Sequence, residues 1–171
     1  MERFWNIVYY CAYKIKCKCY YYFCTYTGLF YAHKLPWNKK RYEKRGIKDP
    51  KAYYINKCES LDDGYAIWFA RRSMDFPLIV FVNGVIFILL GVIQPKSFTP
   101  VAILIILSVV FTFAFNYNLL WRKDKYQKYF KEFDKKPRKW KVKWAWISLG
   151  VFLFPFLVWV YIFTLFAEKI G

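Results

Sequence analysis

The chain has 171 residues, room for about one domain, and carries 28 Lys and Arg against 11 Asp and Glu, a formal charge of +17. Yet 58% of its residues are hydrophobic and 25% aromatic, which excludes a disordered basic tail. A soluble two-domain enzyme is disfavoured, because so much apolar surface would face water.

Residues 1–35 open with Phe4-Trp5, Ile7-Val8, Cys11-Ala12 and Ile15 near helical spacing, interrupted by Lys14, Lys16 and Lys18. The uncharged, Tyr-rich run Cys19–Ala32 is 14 residues long, short for a membrane span. It reads as an amphipathic or re-entrant segment at the inner surface; the alternative is a fourth span with the N-terminus outside. No cleavable signal peptide is expected, since the run is weakly apolar and has no small-x-small site. Pro36–Lys57 is a basic linker broken at Gly46 and at Asp49-Pro50. Ser60 and Asp63 resemble a capping box. Leu61, Tyr65, Trp68 and Phe69 then fall on one apolar face of a surface helix running toward Arg71 and Arg72.

Charge then vanishes from three stretches: Phe76–Ile93, Pro100–Leu120 and Trp144–Ala167, of 18, 21 and 24 residues. As helices they reach roughly 27, 31 and 36 Å, against a hydrocarbon core of about 30 Å. Each reads as a transmembrane helix rather than a buried helix of a soluble bundle, because none carries a polar face. Asp75 before Phe76-Pro77, and Thr99 before Pro100, look like helix starts. Pro155 is expected to kink the third span. Between spans two and three, Tyr126, Tyr129, Phe130 and Phe133 recur at helical spacing, so span two is expected to continue as a helix until Pro137.

The expected architecture is therefore all-α: a polytopic membrane protein with three transmembrane helices plus N-terminal and juxtamembrane amphipathic helices. Its regions are a basic part (1–75), a transmembrane hairpin (76–93 and 100–120), a basic helix and loop (121–143), a third span (144–167) and a tail (168–171). Residues 1–75 and 121–143 each carry a net +8, while the 94–99 turn holds only Lys96 and the tail is neutral. Positive segments stay in the cytoplasm. This places the N-terminus inside, the C-terminus outside, and the protein in a bacterial inner membrane.

Few polar groups lie in the spans. Ser108, Thr112 and Asn116 stand four apart on span two, and Asn83 of span one lies at comparable depth. Gly84 and Gly91 add a smooth face. These six are candidates for helix packing or for lining a pore. Trp68, Arg71, Arg72, Trp121, Arg122, Lys123, Trp140, Lys141, Lys143 and Trp144 flank the spans and are candidates for lipid headgroup contact.

No known catalytic or cofactor pattern emerges. Cys17-Lys18-Cys19, Cys24 and His33 could supply metal ligands but lack the spacing of a structural zinc site. The bland alternative is five reduced thiols, with Cys11 and Cys58, packed on the cytoplasmic side. A Cys–His33 pair has no supporting motif, Asp62-Asp63 suits a helix N-terminus, and no glycine-rich phosphate loop is present. No cofactor or metal is expected, and no enzymatic role. Nucleic acid is disfavoured as a partner, because each basic stretch flanks a span, where positive charge serves orientation. The expected partners are an anionic lipid bilayer and either a second copy or another membrane protein. The alternative function is a small oligomeric channel or membrane-disrupting effector lined by the span-two stripe.

Three segments carry a family likeness: Phe4-Trp-Asn-Ile-Val-Tyr-Tyr-Cys-Ala-Tyr-Lys14, Lys125-Tyr-Gln-Lys-Tyr-Phe-Lys-Glu-Phe133, and Lys139-Trp-Lys-Val-Lys-Trp-Ala-Trp146. With these the layout resembles small multi-span membrane proteins of gut Bacteroidetes. The resemblance implies a bacterial inner-membrane setting and brings no activity or functional residue.

Overall fold

The computed structural model describes residues 1–93 and 99–170, the side chains of residues 33, 91–93, 100, 163 and 165–170 excepted. Among the described residues the structure is helical, with no strand. The 94–99 connection up to Thr99, the terminal Gly171, the packing of Gly91 and the His33 side chain lie outside that description.

Helix α1 runs Glu2–Tyr26. It stops where Gly28 adopts a φ of 70°, the left-handed conformation that glycine takes without a Cβ penalty. A 3-10 turn, Leu29–Lys34, leads to α2, Pro36–Lys44, whose proline sits in the first turn. Gly46 (φ 69°) ends α2, with its N–H donating to the Glu43 carbonyl and Ile47 N–H to that of Tyr42. Helix α3, Pro50–Glu59, is capped by Asp49, whose Oδ1 accepts from Ala52 N–H at 3.0 Å. The capping residue supplies a side-chain acceptor to an orphan N–H, and Pro50 follows where no N–H is needed.

Three further helices are long and apolar enough to cross a membrane: α4 (Tyr65–Ile93), α5 (Thr99–Asn116) and α7 (Arg138–Ile170). A π-turn (Tyr117–Trp121), a 3-10 turn (Arg122–Asp124) and α6 (Lys125–Asp134) lie between the last two.

Three expectations need correcting. First, Leu61–Asp63 is a turn rather than the opening of a helix; α4 begins at Tyr65. Gly64 makes that start possible, since a Cβ there would lie 2.7 Å from the Cys58 carbonyl oxygen. Along α4, Trp68 and Phe69 are each 52% exposed, while Ala66, Ile67, Ala70 and Met74 are buried. Second, Asp75 does not stand at a helix start. Helix α4 continues through it and through Pro77, although Pro77 cannot donate to the carbonyl four residues earlier. Third, span two does not run on as one helix. The backbone passes through two successive left-handed residues, Lys123 (φ 59°) and Asp124 (φ 49°), before α6.

The chain divides into two compact units, Met1–Cys11 with Arg72–Gly171, and Ala12–Arg71. The first holds an aromatic core. Tyr9, Phe130 and Phe133 are essentially closed to solvent. Tyr9 meets Tyr126 and Phe130 at 5.6 and 5.2 Å between ring centres, and Tyr10 meets Phe130 and Phe133 at 5.3 and 5.7 Å. Such tilted pairs add about 0.5–1.5 kcal/mol each beyond area burial. Ionic contacts frame this core: Arg3 with Glu132 at 2.6 Å, and Lys125 with Glu2 at 2.8 Å.

The second unit is tied by tyrosines. Tyr13 donates to the Glu59 carbonyl at 2.7 Å, Tyr42 and Tyr54 share a hydrogen bond of 2.7 Å, and Tyr20 stacks on Tyr65 at 6.1 Å. Cys24 and Cys58 are buried.

Candidate functional site

The polar residues predicted from spacing meet in the first unit. Ser108, Thr112 and Asn116 are all buried, as is Gly84, while Asn83 is half-buried. They do not act alike. Thr112 Oγ1 donates to the Ser108 carbonyl of its own helix at 2.9 Å, so its hydroxyl is satisfied locally. Ser108 has one proton for two acceptors, the Ile105 carbonyl at 2.7 Å and Asn83 Oδ1 at 3.3 Å; the shorter, intrahelical bond is the stronger. Asn83 Nδ2 in turn donates to the Ile79 carbonyl at 2.8 Å.

Asn116 is different. Its Nδ2 donates to Asp75 Oδ1 at 2.7 Å, and its Oδ1 accepts from Trp5 Nε1 at 2.7 Å. An indole only donates and a carboxylate only accepts. A side-chain amide carries one acceptor and one donor group, so Asn matches both neighbours at once. This node joins α1, α5 and α4. Spacing along span two identified Asn116; it had no means of identifying Trp5 or Asp75, which lie 111 and 41 residues away in sequence.

Just beyond the node the backbone enters its π-turn. Such a turn releases carbonyls from the regular helical ladder. Asn6, fully buried, donates through Nδ2 to the Leu119 carbonyl at 3.1 Å and to the Glu2 carbonyl at 3.0 Å. Lys125 Nζ reaches the Asn118 carbonyl at 3.4 Å. Lys125 also holds the Glu2 carboxyl below its ordinary value, with a smaller contribution in the same direction from the Tyr129 hydroxyl.

An apolar groove of about 430 Å³ adjoins these helices. It is walled by Pro77, Leu78 and Phe81 of α4 and by Ile147, Val151 and Phe154 of α7, with Trp5 and Gly150 also on its surface. A Cβ built on Gly150 meets nothing within 4 Å.

The predicted interface residues fall into two groups. Arg71, Arg72, Arg122, Lys123, Lys143 and Trp68 are exposed. Trp140 and Trp144 are half-buried: Phe133, Trp140, Trp144 and Phe4 form a chain of ring contacts at 5.4, 6.0 and 6.0 Å. Lys141 is half-buried and donates to the Asp134 carbonyl at 2.8 Å, and Trp121 is half-buried with its indole nitrogen closed to solvent.

The thiols divide as well. Cys17 and Cys19 diverge, one half-buried and one exposed, because side chains two apart on a helix do not face each other. Burial pushes the Cys58 thiol up to about 12, and burial raises Cys17 too. Among the described residues no three His, Cys, Asp or Glu side chains are placed to share a metal.

No protein-family model, curated protein or solved structure matches the chain.

Proposed function

We propose that the protein is a non-enzymatic integral membrane subunit of the bacterial inner membrane that binds anionic lipid on its cytoplasmic face. The observation that carries this reading is the orientation of side chains on the three apolar helices. Only 22, 22 and 17% of their most apolar windows is buried. Ile106, Leu107, Val110 and Phe111 of α5, and Leu153, Phe154 and Leu157 of α7, are each more than half exposed. An apolar surface of that extent is stable against lipid and not against water. Ser108, Thr112, Asn116 and Ser148 of the same helices are buried, which supports a role in packing within one chain; a second copy or another membrane protein would meet the outward apolar faces instead. The groove between Pro77 and Phe154 gives an acyl chain a place to lie. Lys143, exposed and four residues before Ile147 on the same face of α7, is the cation this reading assigns to the headgroup phosphate.

The experiment is lipid retention. The full chain, taken from bacterial membranes after a carbonate wash, is exchanged into mixed micelles with phosphatidylglycerol and phosphatidylcholine, and its bound lipid is counted by native mass spectrometry. Phosphatidylglycerol is expected to dominate. The triple variant K139Q/K141Q/K143Q is expected to retain it about a hundredfold less, since three cations near an anionic surface contribute about 3 kcal/mol together. Equal retention of the two lipids by the unaltered chain sinks the reading.

A further inference from the structure

The unit Ala12–Arg71 contains a cavity of about 340 Å³ that the lipid reading does not use. Its wall carries Arg41 and Arg45, four apart and so on one face of α2 and its C-terminal cap, together with Tyr42, Tyr54, Tyr20 and Phe30. Cations are ordinary at a helix C-terminus, where they meet the last carbonyls. These two do not: among the described residues neither guanidinium has an ion-pair or hydrogen-bond partner within the protein. Both stand close enough to the Tyr54 hydroxyl to favour its ionised form, opposing the hydrogen bond shared with Tyr42, which dominates there and favours the neutral phenol.

The phenols add a second donor set. Tyr42 and Tyr54 share a single hydrogen bond. Each phenol has one proton, so the pair uses one and keeps the other. That remaining proton has no acceptor among the described residues. Two guanidinium forks and a phenol proton offer more donors and more charge than one carboxylate can use. A phosphate ester, with about two negative charges and three acceptor oxygens, fits them. The rings of Tyr20 and Phe30 leave an apolar surface for whatever the phosphate is attached to.

We propose that this cavity binds a phosphomonoester, its phosphate between Arg41 and Arg45 and its ring or apolar body against Tyr20 and Phe30. The site is built within Ala12–Arg71 and does not depend on the lipid reading. The ester has two sources, a soluble metabolite or the headgroup of a phosphatidic acid, and they are told apart by experiment.

The full chain in phosphatidylcholine nanodiscs is titrated calorimetrically with phenyl phosphate, and separately its binding to nanodiscs containing phosphatidic acid is measured. Saturable 1:1 binding is expected in one arm: phenyl phosphate identifies a soluble ester, phosphatidic acid alone a lipid. In that arm R41Q/R45Q is expected to bind at least about tenfold more weakly, the loss of two charge-assisted bonds. K40Q/K44Q removes the same charge from α2 without touching the cavity and is expected to stay within about twofold of the unaltered chain. Equal weakening by both pairs means diffuse attraction and overturns the proposal, as does saturation in neither arm. Should R41Q/R45Q fail to fold, the single variants R41Q and R45Q each remove one guanidinium from the cavity; about a fivefold loss is expected for each, and unchanged affinity in both overturns the site.

Discussion

Asn116 donates its amide N–H to Asp75 Oδ1 at 2.7 Å, linking α5 to α4 where neither residue is open to solvent. The same amide accepts the Trp5 indole proton at 2.7 Å. Replacing Asn116 by Leu deletes both bonds, takes a donor from a buried carboxylate and leaves a buried indole N–H without its acceptor. The expected cost is about 2–5 kcal/mol. Asn116→Asp sets two carboxylates against each other and is expected to cost at least as much. Both are measured by unfolding in mixed micelles with rising SDS. Thr112→Leu, which removes only a local bond, should cost less than Asn116→Leu; the reverse order would falsify the assignment of Asn116 as the joint between helices.

Gly84 of α4 faces Ile162 and Trp159 of α7. A Cβ at this position meets Ile162 Cδ1 at 3.5 Å and Trp159 Cδ1 at 3.9 Å, ordinary contact distances. Gly84→Ala is therefore expected to be neutral or stabilising by up to about 1 kcal/mol, since glycine is the weaker helix former. Gly84→Leu overpacks and is expected to cost about 1–3 kcal/mol. The same unfolding assay reads both.

The break between α5 and α6 stores strain at two non-glycine residues, Lys123 and Asp124, with positive φ. A left-handed residue costs roughly 1–2 kcal/mol unless it is glycine. Lys123→Gly is expected to stabilise the chain by about 1 kcal/mol, while Lys123→Val, β-branched, is expected to destabilise it. A helix running straight through this point would give the opposite ranking, with glycine the worse of the two.

Cysteine chemistry separates exposed from buried thiols and reads the orientation. Cys19 is exposed and Cys58 is buried, with its thiol pushed up to about 12. Alkylation needs the thiolate, so maleimide at neutral pH should modify Cys19 and spare Cys58. Orientation with the N-terminus inside requires that Cys19 react only after the inner membrane is opened, and that a tag following Gly171 be accessible from outside. The proton balance also has a sign. Folded Cys58 keeps its proton to a higher pH than the unfolded thiol, whose ordinary value is 9.0. Its neutral form therefore supports the fold fully below about pH 9, and that support is lost progressively as pH rises toward 12. Cys58→Ala should flatten this part of a stability–pH curve.

Acid has a separate effect at the other end of the scale. The Glu2 carboxyl is held low by Lys125, so its contribution is present above the ordinary carboxyl range and lost as pH falls below it. Because both partners are about one-third exposed, the pair contributes no more than about 1 kcal/mol. Glu2→Gln should therefore lower stability slightly at neutral pH and leave it unchanged once the medium is acid enough to protonate Glu2 in the folded chain.

The sequence by itself determined the helical class, the three apolar helices and the placing of Ser108, Thr112 and Asn116 along one face of a helix. These follow from length, from the absence of charge and from a four-residue period, all of which are local properties. It did not determine which residues of α4 pack inside the protein: the structure buries Ala66, Ala70 and Met74, because close approach depends on what lies opposite. Nor could it show that Asp75, beside a proline, is a partner of Asn116 and no helix cap. The π-turn and left-handed pair that end α5 were equally hidden, since Tyr126, Phe130 and Phe133 keep helical spacing beyond the break and read as a continuation of α5. Tertiary structure alone decided these points, and with them the meeting of Arg41, Arg45, Tyr42 and Tyr54 around one cavity. Hydrogen bonds and packing between distant segments select among local conformations that differ by only a few kcal/mol, and a residue's own neighbours in sequence carry no record of that choice.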